Sequence, residues 1–186
     1  YDAGVDVRLN TLVTKEMLQN EFKDFEVISS IGAKPVIINP FTKFKNWMTA
    51  EDILMGRKFP GLNVVVIGGG SVGCETADFL APTINDRFIR NRKVTVIEMD
   101  KEILLKEVGA VRSALVLRMM KKGINILVNT KVEEVTEDTI KYSTNGEIHT
   151  ITDADTLVFA SGYKADTSFE ELLKEVGCKY TLIGDQ

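Results

Sequence analysis

The sequence predicts an α/β fold: a doubly wound parallel sheet in which an antiparallel β-meander replaces one crossover helix. Three observations carry this prediction. Apolar runs at residues 64–67, 94–97 and 124–128 have the continuous character of parallel strands buried on both faces. Helical patterns at residues 74–81 and 109–122 separate them. After the third run the period shortens to alternating segments, two of them joined through Asn145-Gly146, the strongest local signal for a tight hairpin. The order β-α-β-α-β-meander-β suits an open sheet covered on both sides.

The elements follow in order. Residues 5–9 alternate apolar and polar and read as a strand, residues 15–20 as one or two helical turns, and residues 25–28 as a further strand ending at Gly32 and Pro35. Residues 36–60 read as a connecting segment broken by Pro40 and Pro60. Within it Thr49-Ala50-Glu51-Asp52 has the pattern of a capping box opening a short helix that ends at Gly56. Val64-Val65-Val66-Ile67 then meets a run of glycines before the first long helix. The second helix carries Val111, Leu115 and Met119 four apart, with Gly123 as its C-cap. The meander runs through residues 132–136, 139–143 and 147–151. Thr156-Leu157-Val158-Phe159 returns to the buried parallel type, and Ser168-Phe169-Glu170-Glu171 caps a last helix running to about Val176.

Composition narrows the function classes. With 186 residues, 44% hydrophobic and 27% charged, the chain is ordinary for a globular protein, and disorder, collagen and disulfide-stapled scaffolds are excluded. At about 150 residues per domain it holds one domain and a remainder. A net charge of −4 argues against nucleic acid or an anionic membrane as partner. No apolar run approaches the roughly 18 residues of a membrane helix. Two cysteines, Cys74 and Cys178, cannot supply a four-thiolate cluster, and a reduced, cytoplasmic setting is the default. The opening at Tyr1, without a signal-peptide pattern, reads as a piece excised from a longer protein.

The chemistry rests on Gly68-Gly69-Gly70-Ser71-Val72-Gly73, in which Gly68, Gly70 and Gly73 have the G-x-G-x-x-G spacing directly after a strand and before a helix. Gly68 permits the tight turn, Gly70 lets a pyrophosphate approach the backbone, and Gly73 lets the helix lie against the sheet. The helix start then offers free N–H groups to phosphate. The second half of this Rossmann-like fingerprint is a carboxylate ending the second strand, here Glu98 followed by Met99. It lies 98 − 68 = 30 residues beyond Gly68, and the polar, Pro-broken insertion at residues 81–93 accounts for the excess over the usual twenty or so. A carboxylate there accepts ribose hydroxyls and repels a 2′-phosphate, so NAD(H) is favoured over NADP(H). The competing readings are a tight turn that binds nothing and a solvated strand-end Glu.

These residues, from Gly68 to Ala77 with residues 94–99, resemble the pyridine-nucleotide domain of the FAD-dependent flavoprotein disulfide reductase superfamily. The resemblance is closest to the reductase portion of old-yellow-enzyme-like flavoproteins, the 2,4-dienoyl-CoA reductase, 2-enoate reductase and trimethylamine dehydrogenase group. Residues 50–56 also look like that group. Ser29-Ser30-Ile31-Gly32-Ala33-Lys34-Pro35 is similar to the family's aliphatic-A-T-G-A-x-P segment, with the Ala-Thr pair degenerate. Residues 155–162 resemble the second such segment, with Ser161 where Thr is usual, and Ile183-Gly184-Asp185 the returning flavin-domain motif. No G-x-G-x-x-G for FAD lies upstream.

The resemblance implies a dinucleotide-binding domain at residues 61–163, inserted between remnants of an interrupted FAD domain at residues 1–60, with their linker, and at residues 164–186. It implies a parent flavoprotein that passes hydride from NADH toward FAD, the FAD not being retained by this piece. It places Glu75 on the nicotinamide side, Val132 beside the adenine and Gly162 beside the nicotinamide ribose. The expected cofactor-binding set is therefore Gly68, Gly69, Gly70, Ser71, Val72, Gly73, Glu75, Glu98, Met99, Val132 and Gly162, with no catalytic and no metal-ligating residue. Plainer readings stand beside these roles: a dipole-favoured first-turn Glu75, an inert buried Cys74, a surface His149, and a solvated basic cluster of Arg87, Arg90, Arg92 and Lys93. A non-catalytic dinucleotide-sensing module, or an FAD adenosine on the same glycines, are the alternative functions.

Overall fold

A computed structural model describes residues 3–83, 88 and 91–184. Arg87, Arg90 and Asp185 lie outside the described residues. In chain order the elements are α1 (Lys15–Gln19), β1 (Val27–Ser29), β2 (Ala33–Pro35), a 3-10 helix (Asn39–Lys43), β3 (Trp47–Thr49), α2 (Ala50–Leu54), β4 (Asn63–Ile67), α3 (Ser71–Leu80) and β5 (Lys93–Ile97). Then come α4 (Gly109–Lys121), β6 (Asn125–Leu127), β7 (Thr130–Val135), β8 (Ile140–Thr144), β9 (Glu147–Ile151), β10 (Thr156–Phe159), β11 (Tyr163–Ala165), α5 (Ser168–Val176) and β12 (Tyr180–Leu182). They form two compact units, Pro35–Tyr163 and Tyr1–Lys34 with Lys164–Gln186. β2 and β11 form a separate two-stranded sheet.

The larger unit is built on a five-stranded sheet of order β3-β10-β4-β5-β6, parallel at every pairing. The predicted α/β class holds, and the alternation of β4 shows why its sequence is apolar throughout. Val64 and Val66 enter one core with Cys74, Ala77 and Leu80 of α3 and Leu115 and Met119 of α4. Val65 and Ile67 point the other way, into a core with Phe44, Val132, Val135, Ile140, Leu157 and Phe159. Each of the buried Val, Leu, Ile, Phe and Met side chains among these stabilises the fold by about 1.5–3 kcal/mol. The meander β7-β8-β9 is antiparallel, as expected, and supplies the cover that a third helix would otherwise give. Its hairpin turns at Asn145 and Gly146, both with positive φ (51° and 90°), the two-residue geometry that matches the strand twist. The capping box is also present: Thr49 accepts from the Asp52 N–H, and Asp52 accepts from the Thr49 N–H.

Four local expectations differ. Residues 36–60 are not only a connector, since β3 forms an edge of the sheet against β10, with Trp47 edge-on to Phe159 at 5.6 Å. Three residues are too few to show a period of two. Residues 5–9 are not a strand; Val5, Val7 and Leu9 are exposed, for alternation alone supplies no ladder partner. On α4, Leu115 and Met119 are buried whereas Val111 is 54% exposed. A spacing of four drifts about 40° around the helix per step, so the stripe leaves the contact. Arg92 is not a solvated cation: its guanidinium donates to the carbonyls of Gly61, Pro60 and Leu80.

The smaller unit pairs β1 with β12 in parallel and sets α1 against α5. Among its described residues only Leu18, Ser29 and Leu173 are buried. Here too a cap moves: Ser168 is the first residue of α5 rather than its cap, and its N–H donates to Asp166 Oδ1 at 3.1 Å.

Candidate functional site

All strands of the five-stranded sheet present their carboxyl ends at one edge. The connection from β4 leads through α3 to β5 on one side, while β10, reached after the meander, lies on the other. Ligands of open α/β sheets bind outside the strand ends at such a switch point. A cleft of about 600 Å³ occupies that position, well inside the range of small-molecule sites. Gly68, Gly69, Gly70, Ser71 and Val72 line it after β4, Glu98 and Met99 after β5, Val132 from β7, and Gly162 after β10. Gly73 and Glu75 do not: Gly73 is buried behind the turn, and Glu75 is exposed in the second turn of α3.

The glycine turn is shaped by what a side chain would meet. Gly68 has φ +109°, and a Cβ there would lie 2.4 Å from the Ala160 carbonyl oxygen of the neighbouring strand exit. A Cβ on Gly73 would lie 1.9 Å from the Gly68 oxygen, so only glycine lets α3 start this close to the sheet. Gly70 has open space where its Cβ would be. It is the N-cap of α3 and no side chain bonds across it, which leaves the first-turn N–H groups of a ten-residue helix directed at the cleft.

The Gly69 peptide is held on both sides. Its N–H donates to Glu98 Oε2 at 2.5 Å. Its carbonyl accepts from the Leu104 N–H at 2.8 Å and from the Cys74 thiol at 3.3 Å. The other Glu98 oxygen accepts from the Asp100 N–H at 2.9 Å. A carboxylate has about four acceptor positions, so Glu98 keeps capacity for two more donors in a fixed orientation. Cys74 is fully buried, and burial, followed by the charges of Glu98 and Glu75, pushes its thiol up to about 12. It is a packing residue and not a thiolate nucleophile at neutral pH.

Three hydroxyl-bearing residues line the cleft, in different states. Thr130 Oγ1 donates to the Val128 carbonyl and hydrogen-bonds Thr144. Ser71 Oγ donates to Glu107 Oε1. Ser161 Oγ, at the exit of β10, is buried and has no hydrogen-bond partner among the described residues. The cleft is mostly acidic on the β5 side, with Glu98, Asp100 and Glu102, and its lysines are Lys106 and Lys131. Arg112 hydrogen-bonds Glu102 and holds its carboxyl below the ordinary range, while Lys131 pairs with Glu133 at 2.8 Å. Sequence reasoning missed Leu104, Lys106, Lys131 and the hydroxyl of Ser161. Only Ser161 carried a signal, as a polar residue at the carboxyl end of a parallel strand. Leu104 sits at φ +57°, a conformation leucine rarely adopts and no pattern announces. His149 is exposed on the hairpin and stacks on Tyr142, far in chemistry from any dyad.

A doubly wound sheet with a glycine turn and a strand-end carboxylate at its switch point defines a dinucleotide-fold protein. The chain belongs to the pyridine nucleotide-disulphide oxidoreductase family, which matches residues 3–184. It is 33% identical over 180 residues to cinnamate reductase of Clostridium sporogenes, covering 94% of this chain and 25% of that protein. It is 32% identical over 183 residues to bilirubin reductase of Mediterraneibacter gnavus, covering 97% and 27%. Among solved structures, 2-naphthoyl-CoA reductase in complex with 2-naphthoyl-CoA superposes with a TM-score of 0.81 at 28% identity, covering 99% of this chain and 27% of that one. The chain thus spans about a quarter of the length of the curated relatives it matches. Among the described residues, no helix is long and apolar enough to cross a membrane.

Proposed function

We propose that this chain is the NADH-binding part of a cytoplasmic flavin-dependent oxidoreductase of the old-yellow-enzyme-like group, and that it binds the dinucleotide without turning it over alone. The observation that carries this reading is the pairing of the uncapped, Cβ-free Gly70 turn with the Glu98 carboxylate at the next strand end, both in one cleft. The turn suits a pyrophosphate, which takes up first-turn N–H groups and is favoured by the helix dipole. The unpartnered Ser161 hydroxyl is a second sign of fit, because buried polar atoms are normally satisfied. NADH supplies a hydride when bound; the chain's own task is to hold and orient it toward a flavin carried by the rest of the parent. In this reading residues 61–163 bind the dinucleotide, residues 35–60 belong to the same compact unit through β3 and α2, and residues 1–34 and 164–186 are the interrupted flavin domain.

Preference for NADH over NADPH follows from Glu98. Its two backbone hydrogen bonds hold the carboxylate in place, with Asp100 and Glu102 nearby, so a 2′-phosphate meets fixed negative charge. Calorimetric titration of the chain tests both claims. NADH binding at least about tenfold tighter than NADPH, lost by a similar factor in Glu98→Ala, is expected from hydrogen bonds to a charged group. Equal or reversed preference overturns the role of Glu98. Absence of NADH binding, or a yellow protein with flavin on the same glycines, overturns the reading as a whole.

A further inference from the structure

The glycine motif directs attention to Ser71, but the cleft hydroxyls are not equivalent; that of Thr130 is already taken up by the Val128 carbonyl and Thr144. The Ser71 proton is committed to Glu107, a carboxylate that can only accept. Toward the cleft, Ser71 therefore presents lone pairs, which repel phosphate oxygens. Ser161 carries no such commitment. Its Oγ has no partner among the described residues although it is buried, and leaving a buried hydroxyl unpaired is costly. One torsion re-aims a serine hydroxyl, and residue 161 lines the cleft.

The position of Ser161 assigns it to one half of the ligand. In the parallel register Phe159 lies opposite Ile67, so residues 160 and 161 run beside the glycine turn. A Cβ on Gly68 would sit 3.3 Å from the Ser161 nitrogen. Glu98 is on the opposite flank of that turn, at the end of β5. The cleft therefore presents, across the strand ends, the Glu98 carboxylate, the glycine turn and the Ser161 hydroxyl in that order. A dinucleotide with its adenosine ribose at Glu98 and its pyrophosphate at the turn carries its second nucleoside onto Ser161.

We infer that Ser161, rather than Ser71, is the side-chain hydroxyl that binds the dinucleotide, and that it serves the nicotinamide nucleoside half. This rests on the dinucleotide reading of the cleft. The test is titration of the wild-type chain, S161A, S161T and S71A with NADH and with AMP, which lacks the second half. S161A is expected to weaken NADH by about threefold to tenfold, the worth of one neutral hydrogen bond. AMP binding should be unchanged in S161A, S161T should retain NADH affinity through its hydroxyl, and S71A should lose less than S161A. An S161A protein that binds NADH as the wild type does, that weakens for AMP equally, or that S71A exceeds in loss overturns the inference. Failure of the wild-type chain to bind NADH at all overturns instead the reading on which it rests.

Discussion

Between Pro35 and Tyr163 both faces of a five-stranded sheet are covered, by α2, α3 and α4 on one side and by the meander and the 3-10 helix on the other. Residues 3–34 with 164–184 bury far less: Leu18 and Leu173 are the buried apolar side chains, while Leu12 is 84% exposed and Ile28 64%. Both stretches contain apolar alternation, yet only one converts it into a core. The difference teaches that β-type patterning becomes structure when the other face and both neighbours are supplied. In the larger unit β4 has β5 and β10 on its flanks and a core on each face, whereas in the smaller β1 has a single three-residue partner. Local stability follows the amount of apolar surface enclosed.

The sharpest way to break this contrast is at the tightest contact of the larger unit. Gly73→Ala places a methyl 1.9 Å from the Gly68 carbonyl oxygen, and neither backbone segment can yield without moving α3 off the sheet. A loss of more than about 3 kcal/mol is expected in urea unfolding followed by circular dichroism, with loss of dinucleotide binding. A stable, binding-competent variant contradicts the close approach.

A smaller effect is expected from Leu173→Ala, which removes one of the two buried apolar side chains of the smaller unit. Such a thinly covered site collapses easily, so the loss should fall near about 2 kcal/mol, the low end for buried leucines. Hydrogen exchange should rise across residues 15–29 and 168–182, while the strands of the larger sheet keep their protection and NADH titrates as before. A uniform rise over both units would show that they unfold together.

The smallest effect concerns pH. Hydrogen bonds from the Lys34 ammonium, then from Ser168, hold the Asp166 carboxyl at about 2, below its ordinary 3.8. The folded state thus binds this proton less readily than the unfolded state does. The contribution is complete above about pH 4 and disappears as pH falls toward 2. Lys34 is solvent-exposed, which keeps it small. In Asp166→Asn, exchange of the smaller unit should be faster than wild type at pH 5 and equal to it near pH 2; an equal difference at both values would assign the effect to packing.

What was legible in the sequence follows the same division. The strands at residues 64–67, 94–97 and 156–159, the hairpin at Asn145-Gly146 and the capping box at Thr49 depend on neighbours in sequence and on burial from both sides, and each forms as read. Residues 5–9 and β3 are not legible in this way: alternation at 5–9 finds no ladder partner, and the three residues of β3 are too few to show a period, so its pairing with β10 comes from an edge elsewhere in the chain. The glycine turn was legible because each glycine answers a backbone requirement, the turn at Gly68 and the approach at Gly73. The hydrogen bond of Ser71 to Glu107, the grip of Leu104 on Gly69 and the isolation of Ser161 were not, because each joins residues with no fixed spacing.

By itself the sequence determined the class of fold, the turn after β4 and the carboxylate that ends β5, since these are set by backbone sterics, strand period and the chemistry of one position. Only the tertiary structure decided which serine hydroxyl is already hydrogen-bonded and which is buried without a partner among the described residues. Hydrogen-bond commitment is a property of three-dimensional neighbours, and two serines that look alike in the sequence differ in the cleft because only Ser71 has a carboxylate beside it.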